Sequence, residues 1–362
     1  MTSGAGPFRH WTLVVPGMSA VGMVFAWGAP LGYVMAALLA LLLAASVLAA
    51  VHHAEVIAHR IGEPFGALVL ALAVTLIEVA LIVTLMASGG PGTSSLARDT
   101  VFASTMITCN GILGISVLVG ALSRHVATFN AEATATSLAT VATLSTLSLV
   151  LPVFTTTTPG PVFSGSQLAF AAIASLVLYG TFLLVQTVRH RVLFVPDTDA
   201  ALDHGEAGPP TNREAVTSLL ALLVALVAVV GLTKLESPMI EAGVKAIGAP
   251  TSAVGVLIAL LVLLPETLAA VRNAARNRVQ AALNLALGSA IASIGLTVPA
   301  VAIASIWLPG PLVLGLEPMQ IVLLVITVLV GALTVLPGRA TVQEGALHLI
   351  LLGAFLFLAV NP

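Results

Sequence analysis

Apolar residues run along this chain in blocks of about twenty, separated by short polar or Gly/Pro breaks, and the blocks show no two-residue alternation. A block of that length spans about 30 Å of hydrocarbon as a helix, so the pattern predicts membrane helices rather than helices with one wet face. Eleven are expected. Six lie at about 11–28, 31–51, 65–87, 100–122, 134–154 and 166–188, before the one long polar stretch, Arg189 to Arg213. Five follow at about 214–233, 250–271, 279–306, 318–336 and 341–360. The first block runs into the second without a clear small-residue cleavage site, so it is expected to be retained and not removed as a signal peptide.

Composition agrees with this pattern. Of 362 residues, 59% are hydrophobic and 8% charged, against about 25% charged in an average soluble protein. A formal charge of −2 leaves no basic field for a nucleic-acid backbone, which excludes that class of partner. The single cysteine, Cys109, cannot form an intramolecular disulfide. Basic residues then orient the spans, because cytoplasmic loops are richer in Lys and Arg. With the N-terminus inside, ten of the thirteen fall on the inner side, leaving Arg98, Lys234 and Lys245 outside. The expectation is a multi-pass protein of the inner (plasma) membrane, N-terminus cytoplasmic and C-terminus outside.

The sequence also repeats. Glu55 begins E-V-I-A-H-R-I-G-E-P and Glu241 begins E-A-G-V-K-A-I-G-A-P, which align without a gap. Each stretch leads into an apolar helix with one acid, Glu78 in the third span and Glu266 in the eighth. The units read as a leading helix at 1–30, a five-helix repeat at 31–188, an acidic linker at 189–213 and a second five-helix repeat at 214–362. Five is odd, so the second copy enters the membrane from the opposite side. Inverted repeats of this kind are common in secondary transporters, with substrate at the midplane.

Glu78 and Glu266 are expected deep in spans, Glu214 and Glu344 near span ends, and the other acids in loops or interfacial segments. A carboxylate at a helix centre costs about 2.5–3.5 kcal/mol on insertion scales, so two of them call for a purpose, and a cation or proton site supplies one. No basic residue is expected deep enough to pair with either. Pro265, directly before Glu266, should kink or open its helix and free carbonyls. Further oxygen donors are Thr75, one turn from Glu78, with Asn110, Asn284 and Ser289 on the helix after each acid. Gly111, Gly114, Gly288 and Gly295 on those same helices suit close helix packing. Glu55 with His59, and Glu241 with Lys245, form i,i+4 pairs read as interfacial amphipathic helices, whose acids could draw cations to opposite mouths of a pathway. His52 and His53 could sense pH, although a solvated flank is the plainer reading. The acidic linker, with Asp197, Asp199, Asp203, His204 and Glu206, reads as a flexible connector.

Residues 54–66 (A-E-V-I-A-H-R-I-G-E-P-F-G), the acid-bearing third span, 262–270 (V-L-L-P-E-T-L-A-A) and 283–293 (L-N-L-A-L-G-S-A-I-A-S) resemble the CAX branch of the calcium/cation antiporters, nearest its bacterial ChaA-type members. The resemblance implies one leading helix plus two inverted five-helix repeats, Glu78 and Glu266 as paired acids, and exchange of cytosolic calcium, or sodium or potassium, for incoming protons. Many members of that family carry Gly-Asn shortly before the acid, whereas Val74–Ile77 and Val262–Pro265 stand here. Two amide ligands are therefore missing, and a calcium site wants six to eight oxygens. No cofactor is implied beyond the transported ions, and a homo-oligomer is left open. A proton-coupled solute carrier, a cation channel and an intramembrane enzyme are the competing classes. No H-E-x-x-H and no Ser/His constellation within the spans supports an enzyme.

Overall fold

The structure is a computed structural model and describes residues 11–29, 32–62, 65–89, 92–189, 210–246, 248–308 and 310–361. It is almost wholly helical, as it must be where hydrocarbon offers the backbone no hydrogen-bond partner. The helices are α1 (Trp11–Ala26), α2 (Tyr33–Ile61), α3 (Phe65–Ser88), α4 (Thr93–Arg124), α5 (Ala131–Phe154), α6 (Gly165–Arg189), α7 (Asn212–Ala246), α8 (Ser252–Ala275), α9 (Val279–Ala304), α10 (Pro318–Val335) and α11 (Val342–Val360). Ten of these, α2 to α11, are long and apolar enough to cross a membrane, and α1 is a shorter apolar helix of 16 residues. Among the described residues, eleven helices stand where eleven blocks were expected. Their outward large side chains, among them Phe25, Val34, Phe65, Phe170 and Val325, are apolar and exposed, as lipid-facing surfaces require.

The chain packs into two compact units, the first 1–90 with 208–247, the second 91–207 with 248–362. In the first, α7 lies against α2, α1 and α3. Buried polar contacts fix the register. The Ser46 hydroxyl donates to Ser19 Oγ at 2.7 Å, His53 Nε2 donates to the Thr12 carbonyl at 2.9 Å, and His53 Nδ1 meets Ser218 Oγ at 3.2 Å. His53 is therefore a buried cross-link and not a solvated flank, whereas His52 beside it is exposed. At the C-terminal end of α2, Arg60 donates to Asn212 Oδ1.

The amphipathic stretches expected as separate interfacial helices are not separate. Glu55 lies within the 29 residues of α2, and Glu241 and Lys245 within the 35 residues of α7. Both continue their spans: nothing before Gly62 breaks the hydrogen-bond ladder of α2, and α7 stays helical through Pro238 as far as Ala246. Gly62 and Gly248, equivalent in the two copies, each take a left-handed φ, of 76° and 71°, that ends the helix there.

In the second unit α4 packs against α8 and α11, α9 against α6, α8 and α5, and α10 against α5 and α11. Small residues set the closest approaches. A Cβ on Gly114 would lie 2.8 Å from the Cβ of His348, and one on Gly345 would lie 2.8 Å from the backbone nitrogen of Leu118, so α4 and α11 cross almost backbone to backbone. Gly295 meets Tyr179 of α6 in the same way, at 2.9 Å. Gly288 differs, with nothing within 4 Å of its added Cβ. Two residue pairs, Ala127↔Ala340 and Thr128↔Arg339, make a short antiparallel bridge between loops. Gly345→Ala is expected to cost about 1–3 kcal/mol, since the obstructing atoms are backbone and cannot swing away. Thermal unfolding of the detergent-purified protein measures it, with Gly353→Ala, which meets nothing within 4 Å, as the unchanged control.

Candidate functional site

The first acid sits on α3. Thr75, Ile77, Glu78, Leu81 and Ile82 are all buried, and Glu78 is 3% exposed. Thr75 is one turn before Glu78, so a hydroxyl and a carboxyl share one face of a helix whose other hydroxyls are those of Thr84 and Ser88. The same face continues through Leu81 and Leu85 to Ser88, whose hydroxyl meets Ser237 Oγ of α7 at 2.9 Å.

The second acid sits on α8. Glu266 is half-buried, one turn from the buried Val262 and Ala270. Helical geometry runs unbroken through Pro265, so the helix does not open there as expected. Its neighbours in the ladder hold it, as they do around Pro16, Pro238 and Pro299 in other helices.

The helix following each acid supplies the polar groups. In α4 the backbone widens to a π-helical turn over Ile107–Ile112, centred on Cys109 and Asn110. Such insertions are concentrated at functional sites. Asn110 is fully buried, and its amide is committed. Nδ2 donates to Thr327 Oγ1 of α10 at 2.9 Å, and Oδ1 accepts from His348 Nδ1 of α11 at 3.1 Å. Because Oδ1 can only accept, His348 carries its proton on Nδ1. Its Nε2 then accepts from the Thr334 hydroxyl at 3.2 Å. Thr327 passes its own hydrogen to Met106 Sδ at 3.6 Å. The chain Thr334, His348, Asn110, Thr327, Met106 is thus ordered end to end, and it leaves Asn110 one carbonyl lone pair for any further ligand. Thr105, Thr108 and Ser116 return their hydroxyl hydrogens to carbonyls of their own helix, at 2.9, 2.7 and 2.6 Å, leaving lone pairs outward.

On α9, Asn284 Oδ1 accepts from Gln280 Nε2 at 2.7 Å. Gln280 in turn accepts from the Asn130 backbone nitrogen. Asn284 and Ser289 are half-buried, and the open space at Gly288 lies between them in sequence. Of the two acids placed at the mouths of a pathway, Glu55 is exposed and Glu241 half-buried. The linker acids Asp197, Asp199, Asp203 and Glu206, with His204, lie outside the described residues.

Two buried groups were not anticipated. Arg98 and Asp99 were expected before the fourth span, but α4 begins earlier and encloses both, at 6% and 4% exposure. Arg98 pairs with Asp99 at 2.8 Å and with Glu317 at 3.2 Å and donates to the Gly315 carbonyl, while Ser95 donates to the second Asp99 oxygen at 2.9 Å. The buried Arg98–Asp99 pair is neutral, as burial demands, while Glu317 reaches Arg98 from an exposed position. Glu236 was placed outside the deep spans, yet it is inside α7 and 3% exposed. The signal was present in the sequence, because the buried stripe Leu222, Ala225, Val229, Leu232 leads at helical spacing directly to Glu236.

Comparison with known proteins gives concordant results. Residues 31–188 and 217–361 match the family described as sodium/calcium exchanger protein. A Sinorhizobium fredii protein named as an ionic transporter, y4hA, is 44% identical over 357 residues, 98% of this chain and 97% of its own. The sodium-potassium/proton antiporter ChaA of Escherichia coli is 36% identical over 354 residues, 96% of this chain and 95% of its own. Among solved structures, native YfkE superposes with a TM-score of 0.72 at 18% identity, covering 98% of this chain and all of that one. The H+/Ca2+ exchanger CAX follows at 0.69 and 15% identity, covering 98% and 93%.

The Asn110–His348 contact generates a measurable expectation. His348→Ala strands a fully buried carbonyl and should cost about 1–3 kcal/mol. A double-mutant cycle with Asn110→Ala should return a coupling of about 0.5–3 kcal/mol in unfolding free energy. Additive effects would show that the two side chains do not act together.

Proposed function

Because the chain belongs to the sodium/calcium exchanger protein family, we propose that it is a secondary cation/proton antiporter working by alternating access, with Glu78 and Glu266 as the acids that carry cation and proton in turn. The observation that carries this reading is the occurrence of one acid at the equivalent place in each repeat, on largely apolar helices with no other charged residue within a turn of it. An ionisable side chain within a span is costly and is kept for an ion or proton path. Two carboxylates can hold either protons or a cation. A site loaded with either carries less charge than an empty one, so loaded forms should reorient more readily, which makes exchange obligatory. Thr75, Asn110, Asn284 and Ser289 are the proposed neutral ligands, and Glu55 and Glu241 the proposed acids of the two entrances.

Calcium is the first candidate substrate, exported against incoming protons. A second reading, sodium or potassium, is favoured by the ligand supply. The Asn110 amide is already held by Thr327 and His348, no amide precedes either acid, and calcium requires six to eight oxygens. The 36% identical relative is named a sodium-potassium/proton antiporter. The proposed orientation, N-terminus and linker cytoplasmic, C-terminus outside, rests on the distribution of Arg and Lys. We further propose that the protein is a carrier and no enzyme.

Cation-triggered proton movement in inside-out vesicles, screened over calcium, sodium and potassium, tests the function directly. Glu78→Gln and Glu266→Gln should each abolish it with the protein still folded, because an amide keeps the volume but cannot trade a proton for a cation. Near-normal flux in either variant would remove the two-acid mechanism. Since protons and cations would occupy the same acids, apparent cation affinity should worsen as pH falls, and saturating cation should recover much of the rate. An affinity independent of pH, with the maximal rate alone changing, would point to a separate sensor such as His52.

A further inference from the structure

Glu236 is an acid that the two-acid exchange does not use. It follows Leu222, Ala225, Val229 and Leu232 at alternating spacings of three and four residues, so it occupies the next core position of the α7 stripe. Its side chain is 3% exposed, and Oε1 is inaccessible to water with no hydrogen-bond partner among the described residues. The antiparallel register set by His53 and Ser218 places it opposite the first turns of α2, and the Ser237–Ser88 contact places it at the C-terminal end of α3. The titratable and charged groups on the packed elements are few. Residues 11–26 of α1 contain none. The α2 end nearby has Tyr33, with His52, His53, Glu55, His59 and Arg60 at the far end. On α3 there is Glu78, ten residues or about 15 Å along the helix. On α7 itself, Lys234 is exposed with Nζ 5.6 Å from the Trp27 ring centroid, and Glu241 and Lys245 lie further on.

A charged carboxylate so enclosed, with one oxygen out of reach of solvent and without a donor among the described residues, would be far costlier than a neutral one. We propose that Glu236 is a proton-binding site additional to Glu78 and Glu266, protonated while α7 is packed on α3 and ionised when that end of the pair becomes hydrated. Protonation and packing of α7 on α3 are thereby linked. The role in transport rests on the antiport reading, whereas the proton site itself does not.

Two measurements separate these levels. Dicyclohexylcarbodiimide, an apolar reagent for protonated carboxyls, is applied to the purified full-length protein at several pH values and the modified residues are mapped by mass spectrometry. Labelling of Glu236 that declines as pH rises, in the parent and in the Glu78→Gln/Glu266→Gln double variant, is the expected result. Absence of label on Glu236 at every pH overturns the site, whether or not the protein transports. In vesicles, Glu236→Gln keeps the shape of the protonated acid but cannot ionise. It should slow exchange about tenfold or more at high pH and little at low pH, with apparent cation affinity retained, while Glu236→Asp keeps the parent's pH profile. An equal loss at all pH values, or no loss, overturns the linkage. A parent without cation-driven proton movement would refute the antiport reading and leave the labelling result to stand by itself.

Discussion

Hydrocarbon offers a polar group no partner, and most features of this molecule follow from that constraint. The backbone answers with helices. Side chains answer one at a time: serines and threonines return hydrogens to carbonyls a turn back, as Thr100, Thr105, Thr108 and Thr233 do. Larger groups need partners on other helices, and each such pairing becomes a cross-link. His53 ties α2 to α1 and α7, His348 ties α11 to α4 and α10, and Arg98 is closed off by two carboxylates and a carbonyl. Polar residues in this protein thus cross-link particular helices, beside the close packing that glycines such as Gly114, Gly295 and Gly345 allow.

In the proposed mechanism the same constraint makes an exchanger of a buried acid. In water a carboxylate is satisfied whether or not it holds an ion. Inside a bilayer it is satisfied only when something neutralises it, so the occupant controls whether the surrounding helices can reorient. The π-turn at Ile107–Ile112 carries Asn110, one of the proposed neutral ligands. Its ordered bonds to Thr327 and His348 hold that amide without spending a charge.

Reading the sequence recovered the helices because twenty-residue apolar blocks have one stable form in a membrane. Glu78 and Glu266 were legible for a related reason: an acid inside such a block stands out. What escaped notice were polar residues at block edges. Arg98 and Asp99 looked like a loop because two adjacent charges ordinarily mark the end of a span, and their pairing inside α4, with Glu317 joining Arg98 from a distant part of the chain, is set by tertiary packing. Glu55 and Glu241 looked like separate amphipathic segments because hydropathy falls there, although α2 runs on to Ile61 and α7 passes through Pro238 to Ala246 without ending. The π-turn has no local sequence signature. Asn110 within it meets His348, 238 residues later, a pairing that no local pattern announces.

The continuity of α7 has a mechanical corollary. From Asn212 to Ser237 no proline interrupts it, so this stretch is a rod of about 38 Å. One end is fastened to α2 through Asn212 and Ser218, the other to α3 through Ser237. A rod of that length, tilted about 8° at one end, swings the other by about 5 Å, close to one helical turn. Small repacking beside His53 would therefore arrive at Ser88 as a displacement large enough to exchange one set of side-chain neighbours for the next, with no need for the helix itself to bend.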